Sequence, residues 1–426
     1  MGRVTTGSKN GAFVITGGSR LGGSVRVSGA KNAALPLMAA ALLTPDDVYL
    51  ENVPHIDDVE VQAAVLRSLG AEVEWVEEHT LRIRAANLTN YVAPAHLVQR
   101  LRGSFLVVGA LLGRLGRAAS CAPGGDVIGQ RPIDVHLAGF DALGARVRFE
   151  DSIYYCEAEC LRGNRVFMDY PSVSGTENLL MAAAGARGET VIVNAAQEPE
   201  VVELAAMLNA MGAEVKGAGT SVVRIRGASR LYGTRWRLIP DRIEAGTFAI
   251  AAALAGDEVT VEGCIPEHLF ALTWKLQEAG AEVITGEDFI LVRGRRPLRA
   301  VNVQAVPYPG FATDLQSVMG VLLTQAEGIS VIHERVYDNR LLYVYELRKM
   351  GADIEVSGQT ALIRGRTPLF GAEVSALDIR SGAALVLAGL IARGSTLIRN
   401  VYHLDRGYEK FDIKLRQLGA VIERVD

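Results

Sequence analysis

Charged and capping side chains recur where the sequence predicts that helices begin. Arginine or lysine stands at several of these starts, although a cation is unfavourable beside the partial positive charge of a helix N-terminus. Asp, Ser and Thr there are explained by capping alone. The cations instead indicate an anionic small molecule, because free backbone N–H groups at helix starts bind anions. The predicted starts are Lys31–Asn32, Arg102–Ser104, Arg131–Pro132, Ser174–Thr176, Glu198–Pro199, Asp241–Arg242, Thr313–Asp314, Asn339–Arg340, Asp378–Arg380 and Asp405–Arg406.

A glycine-rich stretch, residues 121–132, follows a predicted strand and leads into a predicted helix; it is called the lid segment below. It contains three glycines, one acid (Asp126) and one base (Arg131). Flexible loops of this composition close over active sites, although ordinary turns have the same composition. The stretch is therefore a candidate lid.

Other patterns exclude several classes of protein. The sequence has no P-loop, no dinucleotide-binding glycine motif and no His/Cys spacing of a metal site, so we expect no cofactor and no metal. The net charge of −4 gives no general attraction to nucleic acid or to a membrane surface. Four scattered cysteines do not form a disulfide framework. Because the sequence shows neither a signal peptide nor a membrane-spanning stretch, we expect a cytoplasmic protein.

The chain contains six copies of one repeat. In each copy a predicted helix ends at a glycine and a strand follows, as in LRSLGAEVEW and LNAMGAEVKG. This pattern predicts a left-handed C-cap at each glycine. A helix rich in small residues and a strand precede each copy, so one repeat is helix, strand, helix, strand, strand. The glycines are Gly70, Gly144, Gly212, Gly280, Gly351 and Gly419.

The two ends of the chain together complete the sixth repeat. The last copy ends one strand short, and residues 12–29 match the segment that follows the third copy. This match predicts an α/β protein of two lobes with three repeats each, and ligands commonly bind between domains. The predicted boundaries are residues 1–29 and 239–426 for a discontinuous lobe, 30–238 for an inserted lobe that carries the lid segment, and 22–30 and 230–240 for two crossover strands.

Several longer motifs resemble the enolpyruvyl transferase family. They are SGAKNAALPLMAAALL, PGG-x-x-IG-x-RP-x-D-x-H, PDRIEAGTF, TDLQ, LDIRSGAALVLAG and YHLDRGYEK, and the resemblance runs essentially end to end. It implies the family's two-lobed inside-out α/β barrel, built from six βαβαββ-type repeats. It also implies transfer of the enolpyruvyl group of phosphoenolpyruvate to an alcohol, with release of phosphate.

Two segments favour UDP-N-acetylglucosamine, through its 3-hydroxyl, as the alcohol. The chain has Asn-Ala-Ala after Lys31 where the shikimate branch has a serine-rich segment, and it has the RPIDVH segment of the sugar-nucleotide branch. This reaction opens peptidoglycan synthesis, and so serves cell-wall biogenesis, cell shape, the cell cycle and cell division. Two alternatives remain: an enzyme like 5-enolpyruvylshikimate-3-phosphate synthase, and a non-catalytic paralogue that binds UDP-sugars.

The resemblance also implies roles for individual residues. Asp314 would act as the general base on the 3-hydroxyl and Asp126 as the acid, with Lys31 and Arg406 completing the catalytic set. Phosphoenolpyruvate would contact Lys31, Asn32, Arg131, Arg380 and Arg406. The sugar nucleotide would contact Asn32, Arg102, Arg131, Pro132, Ile133, Asp134, Val135, Ser172, Val173, Asp314 and Val336.

The chain departs from the family's pattern at two places. Most members carry cysteine where this chain has Asp126, and a carboxylic acid can donate the required proton if its pKa is raised. Fosfomycin inhibits the family by alkylating that cysteine, so the aspartate predicts fosfomycin resistance. Relatives tend to have Gly-Ala where this chain has Ser174-Gly175, which changes the surroundings of the uridine.

Overall fold

The computed structural model describes residues 11–126, 128–294 and 297–425. Residues 1–10 of the predicted discontinuous lobe, residue 127 of the lid segment and residue 426 lie outside the described residues. The helices are α1 Lys31–Ala40, α2 Asp57–Ser68, α3 Ala95–Val98, α4 Val107–Leu115, α5 Asp134–Ala142, α6 Val173–Ala184, α7 Pro199–Ala210, α8 Arg242–Ala255, α9 Phe270–Glu278, α10 Gln316–Thr324, α11 Tyr343–Lys349, α12 Ile379–Ile391, α13 Tyr402–Asp405 and α14 Phe411–Gln417, with 3-10 turns at Ala41–Leu43, Arg102–Leu106, Pro266–Leu269 and Thr313–Leu315.

The strands are short and alternate with the helices along the chain. They are β1 Ala12–Thr16, β2 Leu21–Arg26, β3 Asp47–Glu51, β4 Glu72–Glu77, β5 Thr80–Arg84, β6 Arg117–Cys121, β7 Arg146–Glu150, β8 Ile153–Glu157, β9 Arg165–Phe167, β10 Glu189–Val193, β11 Glu214–Lys216, β12 Val222–Arg226, β13 Arg235–Arg237, β14 Gly256–Glu262, β15 Glu282–Thr285, β16 Phe289–Arg293, β17 Leu298–Arg299, β18 Val303–Ala305, β19 Ala326–Glu334, β20 Ile354–Ser357, β21 Thr360–Gly365, β22 Glu373–Ser375, β23 Ser395–Arg399 and β24 Val421–Val425.

The chain forms two compact units. Unit 1 contains the described residues up to Ser28, those from Pro240 onward, and the centre of the lid segment, Asp126–Gln130. Unit 2 contains Gly29–Gly125 and Arg131–Ile239. The expectation that the inserted lobe carries the whole lid segment is therefore wrong, because contacts assign the centre of that segment to unit 1.

The described residues of each unit form three small sheets, one for each repeat. In unit 2 the strand orders are β13-β3-β5-β4, β6-β8-β7 and β11-β12-β10-β9. In unit 1 they are β15-β16-β14-β2, β17-β19-β21-β20 with β18 also on β19, and β22-β23-β1-β24. In the last of these sheets Phe13 lies opposite both Ile398 and Arg424, so strands from both ends of the chain share one sheet, as predicted.

Helices rich in small residues form the interior of each unit. Nearly every residue of α8, α10 and α12 is buried in unit 1, and the same holds for α1 and most of α4 and α6 in unit 2. A helix that is apolar on all sides must lie inside. Small side chains let these helices approach closely: a Cβ at Gly109 of α4 would lie 2.4 Å from the carbonyl oxygen of Asn178 in α6. The helices are therefore inside and the sheets outside, as the resemblance implies.

The glycine at the end of each repeat phrase adopts the predicted conformation. The six glycines have φ angles between 90° and 110°, a left-handed region that side chains with a Cβ rarely adopt. The chain can therefore turn at this point and continue into the next strand.

Candidate active site

Most of the predicted helix starts are confirmed. Lys31 and Asn32 open α1, Arg102 opens the 3-10 turn before α4, and Thr313 opens the one before α10. Asp378 caps α12 through its side chain, which accepts the backbone N–H groups of residues 380 and 381. The sequence pattern therefore located the polar ends of these buried helices correctly.

Three of the predicted starts are wrong. Asn339 and Arg340 do not open a helix, because α11 begins at Tyr343 with Leu342 as its N-cap. Pro132 does not open a helix, because α5 begins at Asp134 with Ile133 as its N-cap. Arg406 follows the four-residue helix α13 as its C-cap. A cation is favourable at a helix C-terminus, so the position of Arg406 no longer implies a ligand by itself.

In unit 1 a carboxylate is held by two buried arginines. Asp314 Oδ1 accepts from Arg340 at 2.8 Å, and its Oδ2 accepts from Arg380 Nε at 3.2 Å and pairs with Arg380 Nη2 at 3.1 Å. The arginines are 5% and 3% exposed, whereas 24% of the Asp314 side chain is exposed. The predicted base and a predicted ligand cation are therefore brought together, and Arg340 is a partner that the sequence-derived roles omitted.

Neighbouring groups fix the position of this cluster. The Arg380 guanidinium lies 5.1 Å from the centre of the Tyr408 ring, and its backbone carbonyl accepts from the Ser317 hydroxyl at 3.0 Å. The buried Glu334 accepts from the Thr313 hydroxyl at 2.8 Å and from the backbone N–H of Val336 at 2.8 Å. Burial raises the pKa of Glu334. The Glu334 carboxylate therefore binds both Thr313, the residue before Asp314, and Val336, a predicted uridine contact.

The centre of the lid segment is anchored on unit 1 by an ion pair and a backbone hydrogen bond. Asp126 pairs with Arg406, and the two side chains are only 14% and 15% exposed. The carbonyl of the buried Ile128 accepts the N–H of Asn339 at 3.2 Å. An arginine partner favours a charged carboxylate, whereas the sequence predicts Asp126 as a proton donor. The ion pair with Arg406 and the predicted role as an acid therefore make opposite demands on this carboxylate.

In unit 2 the predicted cations lie at two places. Lys31 Nζ pairs with the buried Asp58 at 2.7 Å, a partner in the first turn of α2 that the sequence did not reveal. Arg102 donates to the carbonyl of Pro132 at 3.0 Å. Gly125 has a φ of 107°, and a Cβ there would lie 3.2 Å from the backbone nitrogen of Arg102 and 3.3 Å from Arg131 Nη2. Glycine is therefore needed for this close approach.

The remaining predicted contacts of unit 2 lie at helix starts. Ser172 is the N-cap of α6 and accepts the N–H of Gly175 at 3.1 Å, and Val173 is the first residue of that helix. Asp134 and Val135 are the first two residues of α5. Asn32, the second residue of α1, is half-buried.

Two kinds of feature were not found in the described part of the chain. Residues 11–126, 128–294 and 297–425 contain no group of three or more His, Cys, Asp or Glu side chains able to hold a metal ion. Within the same ranges, no helix has the length and apolar character needed to cross a bilayer.

Comparisons with known proteins find relatives over nearly the whole chain. The sequence model of a family described as EPSP synthase (3-phosphoshikimate 1-carboxyvinyltransferase) matches residues 15–415. UDP-N-acetylglucosamine 1-carboxyvinyltransferase 2 of Carboxydothermus hydrogenoformans is 51% identical over 97% of this chain and 99% of its own length. A UDP-N-acetylglucosamine 1-carboxyvinyltransferase from Acidobacterium capsulatum is 48% identical over 97% of this chain and 96% of its own length.

Solved structures resemble the chain over nearly its full length. The enolpyruvyl transferase NikO from Streptomyces tendae superposes with a TM-score of 0.89 at 28% identity, covering 98% of this chain and 99% of NikO. An EPSP synthase from Acinetobacter baumannii has a TM-score of 0.75 at 19% identity, with 98% and 100% covered. At that identity the second likeness concerns the fold alone.

Proposed function

The chain belongs to the EPSP synthase family of enolpyruvyl transferases, and we propose that it transfers the enolpyruvyl group of phosphoenolpyruvate to the 3-hydroxyl of UDP-N-acetylglucosamine. One observation carries this proposal: relatives that are about half identical over nearly the whole chain bear the name of the sugar-nucleotide enzyme. The shikimate enzyme resembles the chain at only 19% identity. We therefore infer the acceptor alcohol from the names of these relatives, and that alcohol is a sugar nucleotide.

The reaction is an addition followed by an elimination. The 3-hydroxyl oxygen attacks C2 of phosphoenolpyruvate, its proton leaves to a base, and C3 receives a proton from an acid. The resulting tetrahedral ketal then loses phosphate and a C3 proton, which restores the double bond. A positioned acid or base contributes about 10²–10⁴-fold to such steps.

Asp314 is suited to the role of the base. Each of its oxygens accepts from a buried arginine, and 24% of the side chain is exposed, so a substrate hydroxyl can approach the carboxylate. Arg340 and Arg380 orient the carboxylate, while Lys31, Arg131, Arg380 and Arg406 would neutralise the phosphate and carboxylate of phosphoenolpyruvate.

The ion pair of Asp126 suggests how the acid receives its proton. The phosphate of phosphoenolpyruvate would compete with Asp126 for Arg406. Once displaced, the carboxylate would lose its positive partner and lie beside a bound anion, and both changes favour its protonated form. Substrate binding would thus convert Asp126 from an ion-pair partner into a proton donor.

The activity would place the protein at the start of peptidoglycan synthesis. In that role it would support cell-wall biogenesis and, through it, cell shape, the cell cycle and cell division. We propose that this activity takes place in the cytoplasm.

Phosphate release tests the proposed acceptor. The purified chain is incubated with phosphoenolpyruvate and either UDP-N-acetylglucosamine or shikimate 3-phosphate. We expect rapid phosphate release with the sugar nucleotide and only background with the shikimate. The reverse result would assign the protein to the shikimate branch. Tight UDP-sugar binding without turnover would indicate the non-catalytic paralogue.

Fosfomycin should not modify the wild-type protein, because a carboxylate is a much weaker nucleophile toward an epoxide than a thiolate. We expect Asp126→Cys to remain active and to gain one covalent adduct in intact-protein mass spectrometry. Three of the chain's four cysteines, all buried, serve as internal controls. Burial raises the pKa of all three thiols, to about 12 for Cys156 and about 11 for Cys264. The third is Cys121, and all three should resist alkylation because little thiolate forms.

Asp126→Ala completes this comparison and should lose most turnover without becoming sensitive to fosfomycin. An adduct on the wild-type protein, or full activity in Asp126→Ala, would rule out Asp126 as the acid of the lid segment.

A further inference from the structure

His136 is a buried histidine that stays neutral. It directly follows residues 131–135 (RPIDV), lies in α5 and is 1% exposed. Burial, together with the nearby charge of Arg102, lowers the pKa of its imidazole to about 3. At neutral pH the ring therefore carries one proton, on one of its two nitrogens.

The neighbouring Asn178 determines which nitrogen carries that proton. Asn178 Oδ1 accepts the backbone N–H of Gly109 at 2.8 Å, and its Nδ2 donates to the carbonyl of Phe105 at 3.2 Å. A backbone N–H can only donate and a carbonyl can only accept, so the orientation of the amide is fixed. Its second N–H then donates to His136 Nδ1 at 2.9 Å. Nδ1 is the acceptor, and the ring proton is on Nε2.

The proton on Nε2 determines the hydrogen-bonding role of the Ser174 hydroxyl. His136 Nε2 lies 3.3 Å from Ser174 Oγ and, being protonated, donates to it. The hydroxyl oxygen thus accepts from the interior, and its own hydrogen must be donated elsewhere. Among the described residues no acceptor for that hydrogen is found, and Ser174 is only half-buried. The network therefore presents one oriented donor at the protein surface.

The surroundings of this donor favour a negatively charged oxygen. Ser174 is the second residue of α6, whose first turn contains no acidic side chain, and a helix N-terminus carries partial positive charge. Arg102 is close enough to influence the charge of His136. The adjacent Ser172 and Val173 are residues that the resemblance to the family assigns to the sugar nucleotide.

We propose that the Ser174 hydroxyl donates a hydrogen bond to a diphosphate oxygen of the sugar nucleotide, and that His136 orients the hydroxyl for this contact. Ser174 is then an affinity-determining residue and His136 a positioning residue that acts through it. This inference rests on the proposed function, because it takes the ligand from there. It adds Ser174 to the residues that the resemblance assigns to the sugar nucleotide.

Titration calorimetry on the full chain tests the contact with UDP and with uridine as probes. Ser174→Ala should weaken UDP binding about ten-fold, since a hydrogen bond to a charged group is lost, and should leave uridine binding unchanged. Ser174→Thr keeps a hydroxyl and should stay within about three-fold of the wild type. Unchanged UDP binding in Ser174→Ala, or an equal loss for uridine, would overturn the proposal.

A double-mutant cycle tests the positioning role of His136. His136→Met removes the ring donor and should weaken UDP binding, whereas His136→Gln offers an amide N–H in its place and should restore most of the affinity. If His136 acts through Ser174, the double variant with Ser174→Ala should bind UDP no more weakly than Ser174→Ala alone. If the losses of UDP affinity in the two single variants add in the double variant, His136 has a purely structural role and does not act through Ser174.

Failure of this inference can be told apart from failure of the proposed function. A wild-type protein that turns over UDP-N-acetylglucosamine while Ser174→Ala binds UDP normally contradicts only the inference. A wild-type protein that neither binds nor turns over the sugar nucleotide contradicts the proposed function itself.

Discussion

Asp314→Asn is expected to lower kcat by at least ~100-fold while the KM values of both substrates change little, because only the acceptor of the hydroxyl proton is lost. The structure adds a second expected effect. Asparagine removes the negative charge between two buried arginines and places an amide N–H₂ against one of them. The variant should therefore also unfold at a lower temperature than the wild type.

Asp314→Glu separates these two effects. It keeps a carboxylate for both arginines but moves it by one methylene group, so it should be closer to the wild type in thermal unfolding while still turning over slowly. Steady-state kinetics and thermal unfolding of the three forms decide the matter. If Asp314→Asn stays within ten-fold of the wild-type kcat, Asp314 is not the general base.

Arg406→Ala should raise the KM for phosphoenolpyruvate by about 100-fold and leave the KM for the sugar nucleotide nearly unchanged. Charge-assisted contacts to a phosphate are among the strongest hydrogen bonds in proteins, and alanine removes all of those made by this side chain. Arg406→Lys keeps the charge but not the planar pair of donors, so it should give an intermediate KM. A main effect on the sugar nucleotide would contradict the assignment.

The partner of Arg406 provides the matched control. If Asp126 competes with phosphoenolpyruvate for this arginine, Asp126→Ala should lower the KM for phosphoenolpyruvate even as it lowers kcat. A variant in which both constants worsen would contradict the competition. Both side chains are mostly buried, so removing either should also loosen the lid segment, which limited trypsin digestion at Arg131 would detect.

The parts of the fold that depend on local backbone chemistry could be predicted from the sequence. A glycine that ends a helix signals its own left-handed conformation, and the six repeat glycines have it. The completion of the sixth repeat by both ends of the chain was predicted because a strand missing at one end matched a segment at the other, and β1 pairs with β23 and β24. Repetition of a local pattern is thus enough to infer some long-range pairing.

The ion pairs of the site could not be predicted in this way. Asp126 and Arg406 are 280 positions apart, and their contact depends on where two irregular segments direct their side chains. The short helix α13 has no full period of apolar residues to reveal it, so Arg406 was placed at the wrong end of a helix. Lys31 and Asp58 are likewise joined by the packing of α1 against α2 rather than by any shared motif.

The position of β1 between β23 and β24 has a consequence for how the chain is made. At about 5–20 residues per second, a ribosome needs roughly 20 to 80 seconds to travel from Thr16 to Ser395, the point at which the first partner of β1 emerges. Unit 2 is complete in the nascent chain long before this. During the interval the apolar strand AFVIT, whose residues are mostly buried in the finished sheet, has no native neighbour. Such strands bind to one another and to chaperones, so the N-terminal strand should be the segment that depends most on protection during synthesis.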